Sequence, residues 1–108
     1  MAQLAFKQRF IEPIQEGRKR QTLRKQTLLK EGDLVTARCQ WNAPPFAYLR
    51  VTAVERVERD LLTGLDAHLD GFDSLDEMLD FMDRTYGCLE SCVRVSFELT
   101  EAPALSGT

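Results

Sequence analysis

Apolar and polar residues alternate most cleanly late in the chain, where Val93, Val95, Phe97 and Leu99 stand against Arg94, Ser96 and Glu98. A period of two with one apolar face predicts a half-buried β-strand. The same pattern from Leu34 puts Val35, Ala37, Cys39 and Trp41 on one face and predicts another strand. Asn42-Ala43-Pro44-Pro45 interrupts it, because proline cannot donate to a ladder. Alternation resumes over residues 46–57, with Leu49, Val51 and Ala53 opposite Arg50 and Thr52, so the two segments read as a strand pair. Residues 3–6 and 20–24 also read as extended, and Lys30-Glu31-Gly32-Asp33 as a turn.

Helical spacing appears in three places. Phe10, Ile11 and Ile14 predict a short helix that starts close to Pro13, where the missing N–H does no harm, and stops at Gly17. Leu61, Leu62, Leu65 and Leu69 predict a second, stopped by Asp70-Gly71. Leu75, Met78, Leu79, Met82 and Tyr86 predict a third, beginning after Asp73 and ending at Gly87. Strands before and after a helical insert give an α+β domain, a small curled sheet with helices at its side. One domain spans residues 1–101, and residues 102–108 are expected to be a disordered tail.

Composition narrows the function. The 108 residues hold no apolar run near the roughly 18–20 needed to span a membrane. No signal-peptide pattern opens the chain, and its three cysteines form no framework, so the expected compartment is the cytoplasm. The net charge of −3 conceals a split, with +6 over residues 1–59 and −9 over residues 60–108. Either one face attracts phosphates, or the two halves pair within the fold. The acidic half argues against tight non-specific binding of long nucleic acid and favours a small or short ligand.

The densest chemistry lies in Gly17-Arg18-Lys19-Arg20-Gln21-Thr22-Leu23-Arg24. A threonine hydroxyl is a weak nucleophile until a neighbouring base takes its proton. Lys19 can be that base if burial and the nearby arginines lower its pKa. It can meet Thr22 only if the turn after Gly17 still includes it, since residues three apart on a strand face opposite ways. Alternatively the lysine contacts a phosphate beside a hydrogen-bonding hydroxyl. Glu77 fits a capping box with Ser74, which by itself explains the residue, and is also the carboxylate to weigh for catalysis. His68 reads as a surface residue, and Cys39, His68, Cys88 and Cys92 lack the paired spacing of a zinc site. Trp41, Phe46 and Tyr48 read as core or loop anchors flanking the proline loop.

With these residues in view the chain resembles the ASCH domain, a PUA-like small β-barrel family linked to RNA, over about residues 4–99. The resemblance is carried by Gly17-x-Lys19-x-x-Thr22-x-Arg24, the Gly32-Asp33 turn, Gly71-Phe72 before a helix, and the closing Val95–Leu99 strand. Within that family it is most similar to the small bacterial members that hydrolyse N4-acetylcytidine. The resemblance implies a metal-independent, cofactor-free amidohydrolase acting on a nucleoside. Thr22 is then the nucleophile, Lys19 the base and Glu77 the residue that orients the lysine. Should desolvation not overcome the ion pair, Lys19 instead stabilises the oxyanion and the glutamate handles protons. Arg18, Arg24, Phe6 and Arg9 are the implied substrate contacts. This reading requires Lys19, Thr22 and Glu77 to converge on one pocket. The competing expectation is a non-catalytic module binding short RNA through Lys7, Arg9, Arg18, Lys19, Arg20 and Arg24. A ribonuclease is a third, but the lone histidine supplies no acid–base pair.

Overall fold

The computed structural model describes residues 1–102, so the expected tail falls outside it except for Ala102. Five strands form one curled, half-barrel sheet: β1 (Ala2–Ala5), β2 (Gln21–Arg24), β3 (Leu34–Arg38), β4 (Ala47–Glu58) and β5 (Ser91–Thr100). Their order is β1-β3-β4-β5-β2. The β1/β3 pair is parallel and the other three are antiparallel. Among the described residues α1 (Ile11–Gln15), α2 (Gly64–Leu69) and α3 (Leu75–Tyr86) are the α-helices, and a 3-10 turn, Gln8–Phe10, leads into α1. This is the α+β architecture that the patterning predicts, with the parallel edge pair as an addition.

Val35, Leu49, Val51 and Val95 fill the sheet side of the core, and Ile14, Phe72 and Met78 come to it from the helices and the turn between them. Pro13 sits as the third residue of α1, where no intrahelical bond needs its N–H. The irregularity in β4 between Val51 and Ala53 is a bulge, which shifts the phase of the alternation beyond it.

Three expectations need correction. β3 ends at Arg38, because the chain turns on Ala43 N to Gln40 O and Arg38 Nη1 to Ala43 O bonds, so Trp41 projects into solvent instead of anchoring the core. Leu99 is exposed, since β2 pairs with β5 only as far as Ser96 and leaves the end of β5 open. Half of the leucine stripe proposed for the second helix is not buried, although Leu62 joins the core and Leu69 is half-buried. A Thr63 capping box starts α2 at Gly64, leaving Leu61 and Leu65 69% and 65% exposed. The inward face carries Asp66 and Ala67 instead, with Asp70 at the cap.

Part of the charge split is met by pairing between the halves, with Arg9, Lys19 and Arg59 of the basic half taking carboxylates of the acidic one. Of the five ion pairs among the described residues, only Arg94–Asp66 lies within one half; Arg9–Glu77, Lys19–Asp70, Arg59–Asp83 and Arg94–Glu55 join the two.

Candidate active site

Two helix ends build the site. At the end of α1, Gly17 N donates to Ile14 O and Arg18 N to Pro13 O, with Gly17 at φ +79°. At the end of α2, Gly71 N donates to His68 O and Phe72 N to Ala67 O, with Gly71 at φ +92°. Both are the Schellman arrangement, in which a left-handed glycine satisfies the last carbonyls and turns the chain out of the helix. The first turn delivers Lys19 and the second delivers Asp70. Arg20 N to Leu69 O, 2.7 Å, ties the two ends together.

Lys19 and Asp70 meet inside the protein, 3% and 4% exposed. Lys19 Nζ donates to the Asp70 main-chain carbonyl at 2.6 Å and also to its carboxylate. It lies 4.4 Å from the centre of the Phe10 ring, a second favourable contact for a cation. A Cβ on Gly71 would come 3.5 Å from Lys19 Cδ and 3.4 Å from Phe10, ordinary contact distances, so the glycine is set by its positive φ.

Burial opposes charge on both partners. It drives Lys19 below its ordinary 10.5, with the Asp70 charge and hydrogen bond pulling the other way. It raises Asp70 to about 6, against the pull of Lys19. The shifts agree in sense: each brings the neutral amine and neutral acid closer to the ion pair in energy.

Thr22 and Arg24 lie one strand turn away on β2. Thr22 Oγ accepts from Arg24 Nε at 3.0 Å, which leaves the hydroxyl proton free for another acceptor. Arg24 Nη2 donates to Ala5 O at 2.9 Å, so this side chain also bridges β2 to β1, the two open edges of the half-barrel. The guanidinium sits 5.2 Å from the Phe6 ring.

Lys19, Thr22, Arg24 and Asp70 line one cavity of about 140 Å³, walled by Phe6, Phe10, Phe72 and Phe81 and shared with Tyr86 and the exposed Lys7. A dry cavity of about 150 Å³ holds one benzene ring, so this one is sized for a single six-membered ring, with any larger attachment left outside. A wider groove of about 540 Å³ runs past Arg20, Gln21 and Leu99, but Thr22, Arg24 and Asp70 do not line it.

Of the residues singled out from sequence, Lys19, Thr22, Arg24 and Phe6 are brought together here. Glu77, Arg9 and Arg18 are not. Glu77 does not line the cavity; its carboxylate is half exposed and takes Arg9 Nη2 at 2.7 Å. Only half of its capping box forms, Glu77 N donating to Ser74 Oγ while the side chain goes to the arginine. Arg9 in turn stacks on Phe10 and Phe72, 5.1 and 4.9 Å from the ring centres. Arg18 is exposed. The convergence required of Lys19, Thr22 and Glu77 is therefore met for the first two alone. The carboxylate beside the lysine is Asp70, which sequence patterning reads only as a helix stop.

His68 is exposed, and no cluster of potential metal ligands occurs among the described residues. No described helix is long and apolar enough to cross a membrane. Of the six cations put forward for phosphate contact, Lys19 is buried on Asp70, Arg24 is part-buried on Thr22 and Ala5, and Arg9 is paired with Glu77.

Neither a protein family nor a curated protein matches the sequence. Solved structures do match the fold. An ASCH domain from Lactobacillus crispatus JV V101 superposes with a TM-score of 0.72 at 16% identity, covering 91% of this chain and 78% of that one. Protein EF3133 from Enterococcus faecalis V583 gives 0.72 at 21% identity, covering 93% and 76%. The hypothetical protein PH0355 gives 0.71 at 15% identity, covering 91% and 97%. At these identities the likeness is one of fold: the chain shares the architecture of that ASCH domain.

Proposed function

We propose that this is a cytoplasmic member of the ASCH family that removes the acetyl group from N4-acetylcytidine or a related N4-acylated cytosine nucleoside, using Thr22, Lys19 and Asp70. The observation that carries the reading is a buried amine–carboxylate pair sharing an aromatic-walled, one-ring cavity with a threonine hydroxyl. The resemblance supplies the reaction, and the geometry supplies Asp70 in the part that the resemblance gives to Glu77.

The chemistry follows from the pair. Moving one proton from Lys19 to Asp70 makes a neutral amine without exchanging a proton with solvent. That amine accepts the Thr22 proton while Oγ attacks the acyl carbon. Arg24 stays within reach of the oxygen that becomes negative, the usual role of a fixed donor in acyl transfer. Lys19 then returns its proton to N4, the C–N bond breaks, and cytidine leaves with the acetyl group on Thr22. Attack by water, deprotonated by the same amine, releases acetate and restores the hydroxyl. The phenylalanine walls exclude water and favour the flat base.

Incubation of the protein with N4-acetylcytidine, followed by chromatography of the nucleosides and an assay for acetate, tests this. Equal amounts of cytidine and acetate are expected, with none from Thr22→Val. Salt-dependent binding of short RNA without release of acetate would favour the non-catalytic module instead.

A further inference from the structure

The cavity carries an imbalance of charge. Lys7, Lys19 and Arg24 line it against one carboxylate, Asp70, in a chain whose net charge is −3. Asp70 is committed to Lys19 through its carboxylate and its carbonyl. Asp66, the next carboxylate along α2, is taken by Arg94 at 2.6 Å, and Glu77 by Arg9. Arg24 therefore has no ion-pair partner among the described residues. Two of its nitrogens are used, Nε on Thr22 and Nη2 on Ala5. Nη1 makes no hydrogen bond to the described residues, and no fully buried side-chain nitrogen or oxygen among them lacks a partner.

A part-buried guanidinium with one free nitrogen, no ion-pair partner among the described residues and a hydroxyl held at its side is arranged to receive an oxygen that bears negative charge. We infer that the cavity contains an anion site, in which Arg24 binds the carboxylate of a short acyl acid. This rests on the proposed hydrolysis, for which such an acid is the product, and adds that the acid is held at Arg24 after the nucleoside leaves. The cavity easily admits a four-atom acid and leaves no room for a ring beside a long chain. Free acid then competes with substrate for the same nitrogen.

The test uses the unaltered protein first. Sodium acetate and acetamide, equal in shape and different in charge, are titrated at pH 7.5 and constant ionic strength while backbone amide resonances are followed. Acetate is expected to bind saturably, shifting Ala5, Thr22, Leu23 and Arg24, and acetamide to bind about tenfold more weakly or less. A folded Arg24→Gln should lose about tenfold in acetate affinity, and Arg24→Lys should lose less. Equal binding of the two probes overturns the inference, as do acetate shifts confined to the groove at Ser96–Leu99 or an unchanged affinity in Arg24→Gln. If Arg24→Gln fails to fold, because it also bridges the sheet edges, the comparison of probes on the unaltered protein decides. The outcomes separate the two ideas. Acetate binding without hydrolysis keeps the anion site and removes the hydrolase, and hydrolysis without acetate binding does the reverse.

Discussion

Lys19 and Asp70, 51 positions apart in sequence, meet in the interior because two glycine-capped helix ends turn toward each other. Taking both charges out of water is costly, and the attraction between them only offsets that cost while both are present. A buried pair of this kind is weak support for stability and stronger support for a site.

Removing one partner is therefore expected to be severe. Asp70→Ala removes both the counter-charge and the carboxylate oxygen that accepts from the buried ammonium, and should cost about 3–5 kcal/mol. Glu77→Gln breaks a half-exposed pair and should cost about 0.2–1 kcal/mol. Urea denaturation of the two variants compares them directly. Similar losses in both would mean that Asp70 is not the partner that matters.

The pair should also leave a signature in pH. Asp70 titrates in the folded state at about 6 against an ordinary 3.8, so the native protein binds more protons between those values. Its contribution to stability therefore falls as pH rises through that window. Lys19 is displaced downward from 10.5, so the native protein binds fewer protons just below that value, and its contribution rises with pH there. Stability curves of wild type and Asp70→Asn across pH 4–7 should differ in slope, with the downward limb absent from the variant. Activity should do the opposite, rising through about pH 6 as the Asp70 carboxylate forms.

Glycine substitutions separate a left-handed backbone from an ordinary one. Gly71→Ala meets a positive φ at ordinary contact distances from Phe10 and Lys19, and should cost about 1–3 kcal/mol. Gly64→Ala, at the first position of α2 with open space around it and an ordinary φ, should gain about 0.4–1 kcal/mol. Thermal melts of the two variants should move in opposite directions.

Where local rules decided the structure, the sequence was readable. The strands alternate because one face of a half-barrel is buried, and Gly17 stands where a left-handed cap is needed. Met78 and Met82 mark the inward side of α3. Reading failed where a tertiary partner overrides hydrophobicity. Leu61 and Leu65 look like a core stripe, but Asp66 is turned inward because the Thr63 amide, Gln21 and Arg94 satisfy it. The Thr63-x-x-Asp66 spacing was the available signal, since it marks a helix start and fixes which way the residues after it face. Asp70 gave no such signal, because a carboxylate before glycine looks like an ordinary helix stop. Lys19, Thr22 and Arg24 were legible as a group; which carboxylate would join them depended on how α2 docks.

The most direct measurement is release of acetate from N4-acetylcytidine by wild type, Thr22→Val, Asp70→Asn and Glu77→Gln, each first checked for folding by circular dichroism. Release by wild type and Glu77→Gln, with loss in folded Thr22→Val and Asp70→Asn, is the expected result. No release by wild type, or full release by Thr22→Val, would contradict it.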